Sequence, residues 1–397
     1  MRTIASGVPL LASPHARFVL AVWAGSRALF LVAGGIAAEL LPGAPPGSPP
    51  EPEGSLSHWA HWDGAWYSAI ATDGYGGSGW PASTNFFPLY PALLRAVALL
   101  PGGIALWGVV ISLVAALPAL YFVHEIARHE AGERVARSAT LALAFFPTAF
   151  FLNAVYSEAL FLAFAAGSVW AARVRGHLLL AGILAFAAAA TRNVGVLLVI
   201  PLAHELLRRR RRSSPLDAVA VLLPVAGLGG YMLTLWRGTG DPLEFATVAR
   251  TIWGRSLRDP LETVTRAWNA AGEGAVWALH PVRIFETTSP NPAYGAAETF
   301  NLVFLVLLVV LLVGALSRLP AGLAIYAAIA ALVPVIAPAA FSPLASLPRY
   351  MLAAFPLFIV AGMGLASTRR IGVALLGLSG AFGVLLTALF VTGRWVA

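Results

Sequence analysis

The sequence has no cysteine and no lysine, and little charge of either sign: 11% of its 397 residues are charged, against 59% that are hydrophobic. The lack of cysteine excludes disulfides, thiolate metal ligands and a cysteine nucleophile, and it makes any introduced cysteine the only thiol. The scarcity of charge excludes an ordinary soluble domain, which is about 25% charged and about 45–50% apolar. A mean hydropathy of +0.79 fits a chain whose main solvent is lipid. All 26 basic residues are arginine, and with 18 acidic residues they give a formal charge of +8. In a soluble protein that balance would suggest nucleic acid. In a polytopic chain it is first a topology signal, and no nucleic-acid partner is expected. The excess of Arg, Ala, Gly and Pro points to a GC-rich bacterial source.

What is there is a series of apolar runs. They predict eleven membrane spans, at 17–41, 104–123, 138–156, 158–172, 178–191, 194–207, 216–236, 299–316, 321–340, 351–366 and 371–391, several of them short for the roughly 20 residues that a crossing needs. The first follows Arg2 and Arg17 but exceeds the length of a signal-peptide core, so it reads as an uncleaved span. The apolar segment 86–100 is interrupted by Pro88 and Pro91 and contains Arg95. Laid along the interface, it leaves Arg128, Arg134, Arg137, Arg173, Arg175, the run Arg208 to Arg212, Arg318, Arg369 and Arg370 in short loops on one side, which the positive-inside rule assigns to the cytoplasm.

The reading is therefore a single all-α membrane domain over 1–397 in a bacterial plasma membrane, N-terminus inside, with two long outer loops at 42–103 and 238–298 that carry interfacial helices. Cysteines introduced at Ser83 and Thr288 should label from outside, and one at Ser213 from inside. Four of the five aspartates, Asp63, Asp73, Asp241 and Asp259, lie in the outer loops. No internal repeat is evident, which disfavours inverted-repeat transporters.

The densest constellation runs from His58 through His61, Trp62, Asp63, Trp66 and Tyr67 to Tyr75. Helical throughout, it would put Asp63 on one stripe with Trp59, Trp66, Tyr67 and Ile70. Desolvation there would lift the carboxylate toward the range of a general base. The alternative is an N-cap for an interfacial helix beginning at Gly64. His58, His61 and Asp63 are metal-ligand types, but their spacing fits no strong zinc pattern. The run Asn85 to Pro91 reads as aromatic anchoring at the interface.

Glu158 and Arg192 each stand at the outer end of a short span, as an ion pair or as ligand contacts. Asp241 before Pro242 most simply makes a turn. Arg349 beside Tyr350 either snorkels to headgroups or grips a phosphate bidentately.

In this order, Trp62-Asp63 with Trp66-Tyr67 and Gly74-Tyr75, Phe86-Phe87-Pro88-Leu89-Tyr90-Pro91, Phe146-Pro147-Thr148, Tyr156-Ser157-Glu158, Thr191-Arg192, Gly240-Asp241-Pro242 and Arg349-Tyr350 resemble the PIG-V family, the GPI mannosyltransferase II group and its bacterial relatives among the GT-C glycosyltransferases. The resemblance implies a GT-C-like bundle that moves mannose from a polyprenyl-phosphate donor to a lipid- or glycan-linked acceptor on the non-cytoplasmic face, with the catalytic aspartate at Asp63. On that basis the expected mechanism is inverting attack with Asp63 as base and Arg349 first, then Arg192 or Arg255, holding the phosphate. His61, Trp66, Tyr67, Glu158, Asp241 and Tyr350 complete the expected substrate site. No cofactor is required, and a divalent metal is possible without being implied. The rivals are a lipid-linked sugar flippase and a non-catalytic subunit of a glycosyltransferase complex.

Overall fold

A computed structural model describes residues 13–45, 50–75, 81–209, 214–287 and 289–396. The positions Thr288 and Ser213, with Arg210, Arg211 and Arg212 of the basic run, lie outside them, as does Arg2. The described residues are helical or irregular, with no strand. The helices in chain order are α1 (Pro14–Leu40), α2 (Asp63–Asp73), α3 (Leu89–Val97), α4 (Gly103–Ala131), α5 (Glu133–Ala144), α6 (Glu158–Trp170), α7 (Leu178–Thr191), α8 (Val199–Arg208), α9 (Pro215–Thr239), α10 (Glu244–Thr251), α11 (Pro260–Leu279), α12 (Val282–Phe285), α13 (Asn291–Arg318), α14 (Ala321–Ile336), α15 (Leu347–Ala353), α16 (Pro356–Ser367) and α17 (Arg369–Val391).

Five of these, α1, α4, α9, α13 and α17, are long and apolar enough to cross a membrane alone. The chain is a multi-pass membrane protein. The remaining predicted spans take a different form. α15 and α16 make a crossing only as a pair bent by 90°, with Pro356 opening α16 after the break. Residues 138–156 do not form one helix: α5 stops at Ala144, Pro147 follows, and a short 3-10 turn, Ala149–Leu152, leads on. Proline lacks the donor that a continuing helix needs. The segment 86–100 contains the nine-residue α3, about 13 Å long at 1.5 Å per residue and too short to span.

An interrupted helix in lipid must find other partners for its carbonyls. Arg27, fully buried midway along α1, supplies them. Its guanidinium donates to the Ala149 carbonyl at 2.6 Å, the Ala144 carbonyl at 2.7 Å and Asn153 Oδ1 at 2.8 Å, and Asn153 Nδ2 donates back to the Arg27 carbonyl. This charge inside a span is thereby fully hydrogen-bonded and structural. Elsewhere small residues let helices meet: Gly182 of α7 rests on the Ala220 carbonyl of α9, and Gly227 of α9 on the Phe186 carbonyl, a close approach typical of helices in lipid.

The bundle has two unlike ends. At one, the ends of α4, α6 and α8 are tied by Arg173, which pairs with Glu130 and Glu205, and His204 of α8 accepts from the Gly322 amide at the start of α14. At the other, the segments 42–45, 50–62 and 145–157 meet the ends of α7 and α17 and the start of α6. There His61 bonds the Val391 carbonyl, and Arg394 donates to the Pro42 and Thr287 carbonyls.

Candidate functional site

The second end gathers Asp63, Glu158, Arg192 and Arg349, four ionisable residues from four separate parts of the chain. Arg349, on the short α15 before the break, is the hub. Its Nη2 donates to Asp63 Oδ2 at 2.7 Å and to Glu158 Oε1 at 2.6 Å, and its Nε donates to the same Glu158 oxygen at 2.8 Å. Arg192 Nη1 pairs with Glu158 Oε1 at 2.6 Å. Glu158 is the first residue of α6, where the partial positive charge of a helix N-terminus favours a carboxylate. Two anions and two cations balance in a site where the Asp63 side chain is the most exposed at 23%, followed by Arg192 at 15%, against 4% for Glu158 and 6% for Arg349.

The backbone delivers Asp63 at a strained point. Trp62, a non-glycine residue, has φ 57° and ψ −118°, a conformation costing on the order of 1–3 kcal/mol that persists only where its surroundings impose it. The Tyr156 hydroxyl imposes it, donating to the His61 carbonyl at 2.9 Å and accepting from the Asp63 amide at 3.2 Å, so that one phenol holds the chain on both sides of Trp62. Trp62 also packs edge-on against Trp395. Tyr156 and Phe151 then flank Arg349, each ring centroid 4.9 Å from its guanidinium carbon.

These contacts decide between the alternatives left open by the sequence. Asp63 is not an N-cap: Trp62 holds that position without a side-chain cap, and the Asp63 carboxylate goes to Arg349. Nor is the constellation one helix. A 3-10 turn, Ser57–Trp59, and a break precede α2, so Trp59 lies off the stripe that carries Trp66, Tyr67 and Ile70. The Glu158–Arg192 ion pair is present, and Arg349 enlarges it. Arg349 does not snorkel, being buried among carboxylates and aromatic rings.

Beside Asp63 stands an aromatic wall. Trp66 stacks on Phe86 at 5.7 Å, and Trp253 meets both edge-on at 6.4 and 6.3 Å. Phe86 and Tyr90 are buried against Tyr67, and Phe87 packs on Tyr231 and Phe245, so the aromatics of the run pack inside the protein instead of anchoring at a lipid surface. Burial pushes the Tyr67 phenol up, and it shares a 2.7 Å hydrogen bond with Ser157 Oγ, which Arg192 also approaches at 3.4 Å.

Arg255 differs from the other arginines. It donates to the Ala337 and Ala345 carbonyls at 3.2 and 3.3 Å and lies over the Tyr350 ring, with no carboxylate partner among the described residues. Carbonyl dipoles hold it without cancelling its charge.

Two expected site residues stand apart from the cluster. Asp241 accepts from the Leu243 amide at 2.8 Å and from Thr247 Oγ1 at 3.2 Å, fixing the turn into α10. The His61 ring bridges Glu51 Oε1 at 2.9 Å and the Val391 carbonyl at 3.1 Å, joining the first loop to the end of α17. In the sequence, Tyr156 and Ser157 stand out only within their motif and Trp253 only as a neighbour of Arg255, none of them as a site residue in its own right.

Residues 51–211 match the family model described as Mannosyltransferase (PIG-V). The resemblance drawn from the motifs is borne out over the segment that contains Asp63, Glu158 and Arg192, and it supports a glycosyltransferase. No curated protein sequence matches the chain. Among solved structures, the chain is similar to ArnT from Cupriavidus metallidurans bound to undecaprenyl phosphate, at TM-score 0.41 and 15% identity over 94% of this chain and 77% of that one. It is also similar to the Archaeoglobus fulgidus oligosaccharyltransferase, at TM-score 0.42 and 12% identity in its apo form and 0.40 and 14% in a complex with Zn and sulfate. There it covers 94% and 92% of its own length but 56% and 53% of the larger chain.

Proposed function

We propose, from the PIG-V match over residues 51–211, that the protein transfers mannose from a polyprenyl-phosphate-linked donor to a lipid- or glycan-linked hydroxyl, with inversion, and that Asp63 is the base. The observation that carries this is the asymmetry of the Asp63 carboxylate. Arg349 holds Oδ2, the side chain is partly exposed, and Oδ1 has no protein partner among the described residues. A carboxylate fixed through one oxygen presents the other in a set direction, as proton abstraction from a positioned hydroxyl requires.

In the proposed step the acceptor oxygen attacks C1 of mannose, its proton passes to Asp63, and the C1–O bond to phosphate breaks. The leaving polyprenyl phosphate gains one negative charge, which a positioned cation stabilises. Arg349 was the first expectation for that cation, but its charge is already matched by two carboxylates. Charge balance favours Arg255, with Arg192 second. The wall of Trp66, Phe86 and Trp253 offers apolar faces to the sugar, and the step uses protein groups and substrate alone.

Replacing Arg255 tests the phosphate assignment. Arg255→Lys keeps the charge and loses the planar fork. It should lower kcat/KM about ten- to a hundredfold, in step with a loss of about 1.5–3 kcal/mol for a charge-assisted hydrogen bond. Because the contact is with the donor, the loss should be the same with every acceptor. Normal turnover would move the role to Arg192.

The Asp63 end is proposed to face outward and the end tied by Arg173 to face the cytoplasm of a bacterial plasma membrane, in line with the arginine-rich short loops. Ser83, buried with its hydroxyl unpaired, is no reporter of this, contrary to the expectation from sequence. Thr72 in the exposed last turn of α2 and Ser367 at the end of α16 are both accessible. Thr72→Cys should react with a membrane-impermeant maleimide in intact cells and Ser367→Cys only after lysis. The reverse pattern would invert the sidedness.

A further inference from the structure

Among the described residues one group of three brings metal-ligand atoms together, and it lies at the opposite end from Asp63: His15 in the first turn of α1, His124 near the end of α4 and Glu133 at the start of α5. His15 Nδ1 is 2.9 Å and His124 Nε2 3.5 Å from the same oxygen, Glu133 Oε2, and none of these three atoms has the geometry of a hydrogen bond. All three fall within 4.8 Å of one another. Ligand atoms at about 2.1 Å from a tetrahedral zinc lie about 3.4 Å apart, so the separations suit one ion among them.

The surrounding bonds set the proton positions. Thr140 Oγ1 donates to the Ala136 carbonyl at 2.8 Å, which spends its hydrogen. At 3.0 Å from His124 Nδ1 it therefore accepts, and His124 carries its proton on Nδ1. The Nε2 lone pair of a fully buried imidazole then points at a carboxylate oxygen that also offers only lone pairs. Two acceptors facing each other need either a shared proton or a metal cation between them. The other Glu133 oxygen, Oε1, accepts from Arg137 at 2.7 Å, which orients the carboxylate. A ring nitrogen and a carboxylate oxygen each held from behind are how proteins aim metal ligands.

We infer that His15, His124 and Glu133 bind one divalent transition-metal ion, best suited to zinc, with water in the fourth position. Two imidazoles and a carboxylate are a borderline donor set that zinc prefers and that magnesium and calcium do not. The ion would pin α1, α4 and α5 together at the end remote from the Asp63 site.

The test uses the full-length protein in detergent, stripped with chelator, desalted and titrated with Zn2+, with Co2+ as the spectroscopic probe. The parent should retain one zinc per chain, show the visible bands of tetrahedral cobalt and gain thermal stability with added zinc. His15→Asn and Glu133→Gln, at half-exposed positions, should weaken binding at least a hundredfold while remaining monodisperse. Thr140→Val, which frees the His124 ring, should weaken it about ten- to a hundredfold. If the parent holds no stoichiometric metal, or if the variants bind as the parent does, the cluster is an ion pair and the assignment is wrong.

Discussion

Asp63→Asn should lower turnover by roughly 10²- to 10⁴-fold, the usual worth of a general base, while the protein still folds and takes up donor, because the charge left in excess lies at the most solvent-exposed corner of the cluster. The substitution keeps size and one hydrogen-bond acceptor, so the carboxamide oxygen of the variant can still receive the Arg349 guanidinium that Asp63 Oδ2 receives at 2.7 Å. What it removes is the capacity to accept a proton. The loss should therefore fall on kcat, with donor KM little changed. A variant with near-parental turnover would leave Asp63 as one corner of a structural ion cluster and nothing more.

The second large effect is expected at Arg349. Removing the guanidinium by Arg349→Met leaves Asp63 and Glu158 with Arg192 alone, one buried negative charge in excess. Breaking a buried pair from one side costs about 3–5 kcal/mol, so this variant should melt far below the parent or fail to accumulate. Two companion variants separate the excess charge from the loss of the side chain. In Arg349→Met combined with Asp63→Asn the excess charge is gone, and much of the stability should return, a coupling that identifies the pair as the source. Arg349→Lys keeps the charge but cannot serve Asp63 and Glu158 at once with a rigid fork. It should fold, bind donor with near-normal KM and lose about ten- to a hundredfold in kcat, because Asp63 is no longer aimed. A loss confined to donor KM would instead return Arg349 to phosphate binding.

Helices that need only apolar length were legible in the sequence. The five long ones follow from uninterrupted runs, and Pro88, Pro91 and Arg95 gave fair warning that 86–100 does not cross. What periodicity could not show is where an apolar run stops being a helix. Residues 138–156 are hydrophobic enough to span, yet Pro147 ends the helix, and the carbonyls so freed are taken by Arg27, more than a hundred residues earlier in the chain. No local reading anticipates such a partner. The site shows the same division. Asp63, Glu158, Arg192 and Arg349 were each visible as ionisable residues at one end of the bundle. Their convergence in one cluster built on Arg349 and Glu158 was not, nor was the matching of Arg349's charge by two carboxylates. The Tyr156 hydroxyl that clamps the strained Trp62 acts across 93 residues, beyond the reach of any sequence pattern.

Mannosyl transfer is measured most simply with purified protein given radiolabelled polyprenyl-phosphate-mannose and total membrane lipid, with Asp63→Asn run in parallel. Label should leave the donor and appear in a new lipid or glycan product in an α linkage, at a rate reduced roughly 10²- to 10⁴-fold in the variant. Label that stays on the donor and only changes membrane leaflet in vesicles carrying the protein would make it a transporter. Transfer that proceeds equally well in Asp63→Asn would keep the enzyme and contradict its proposed base.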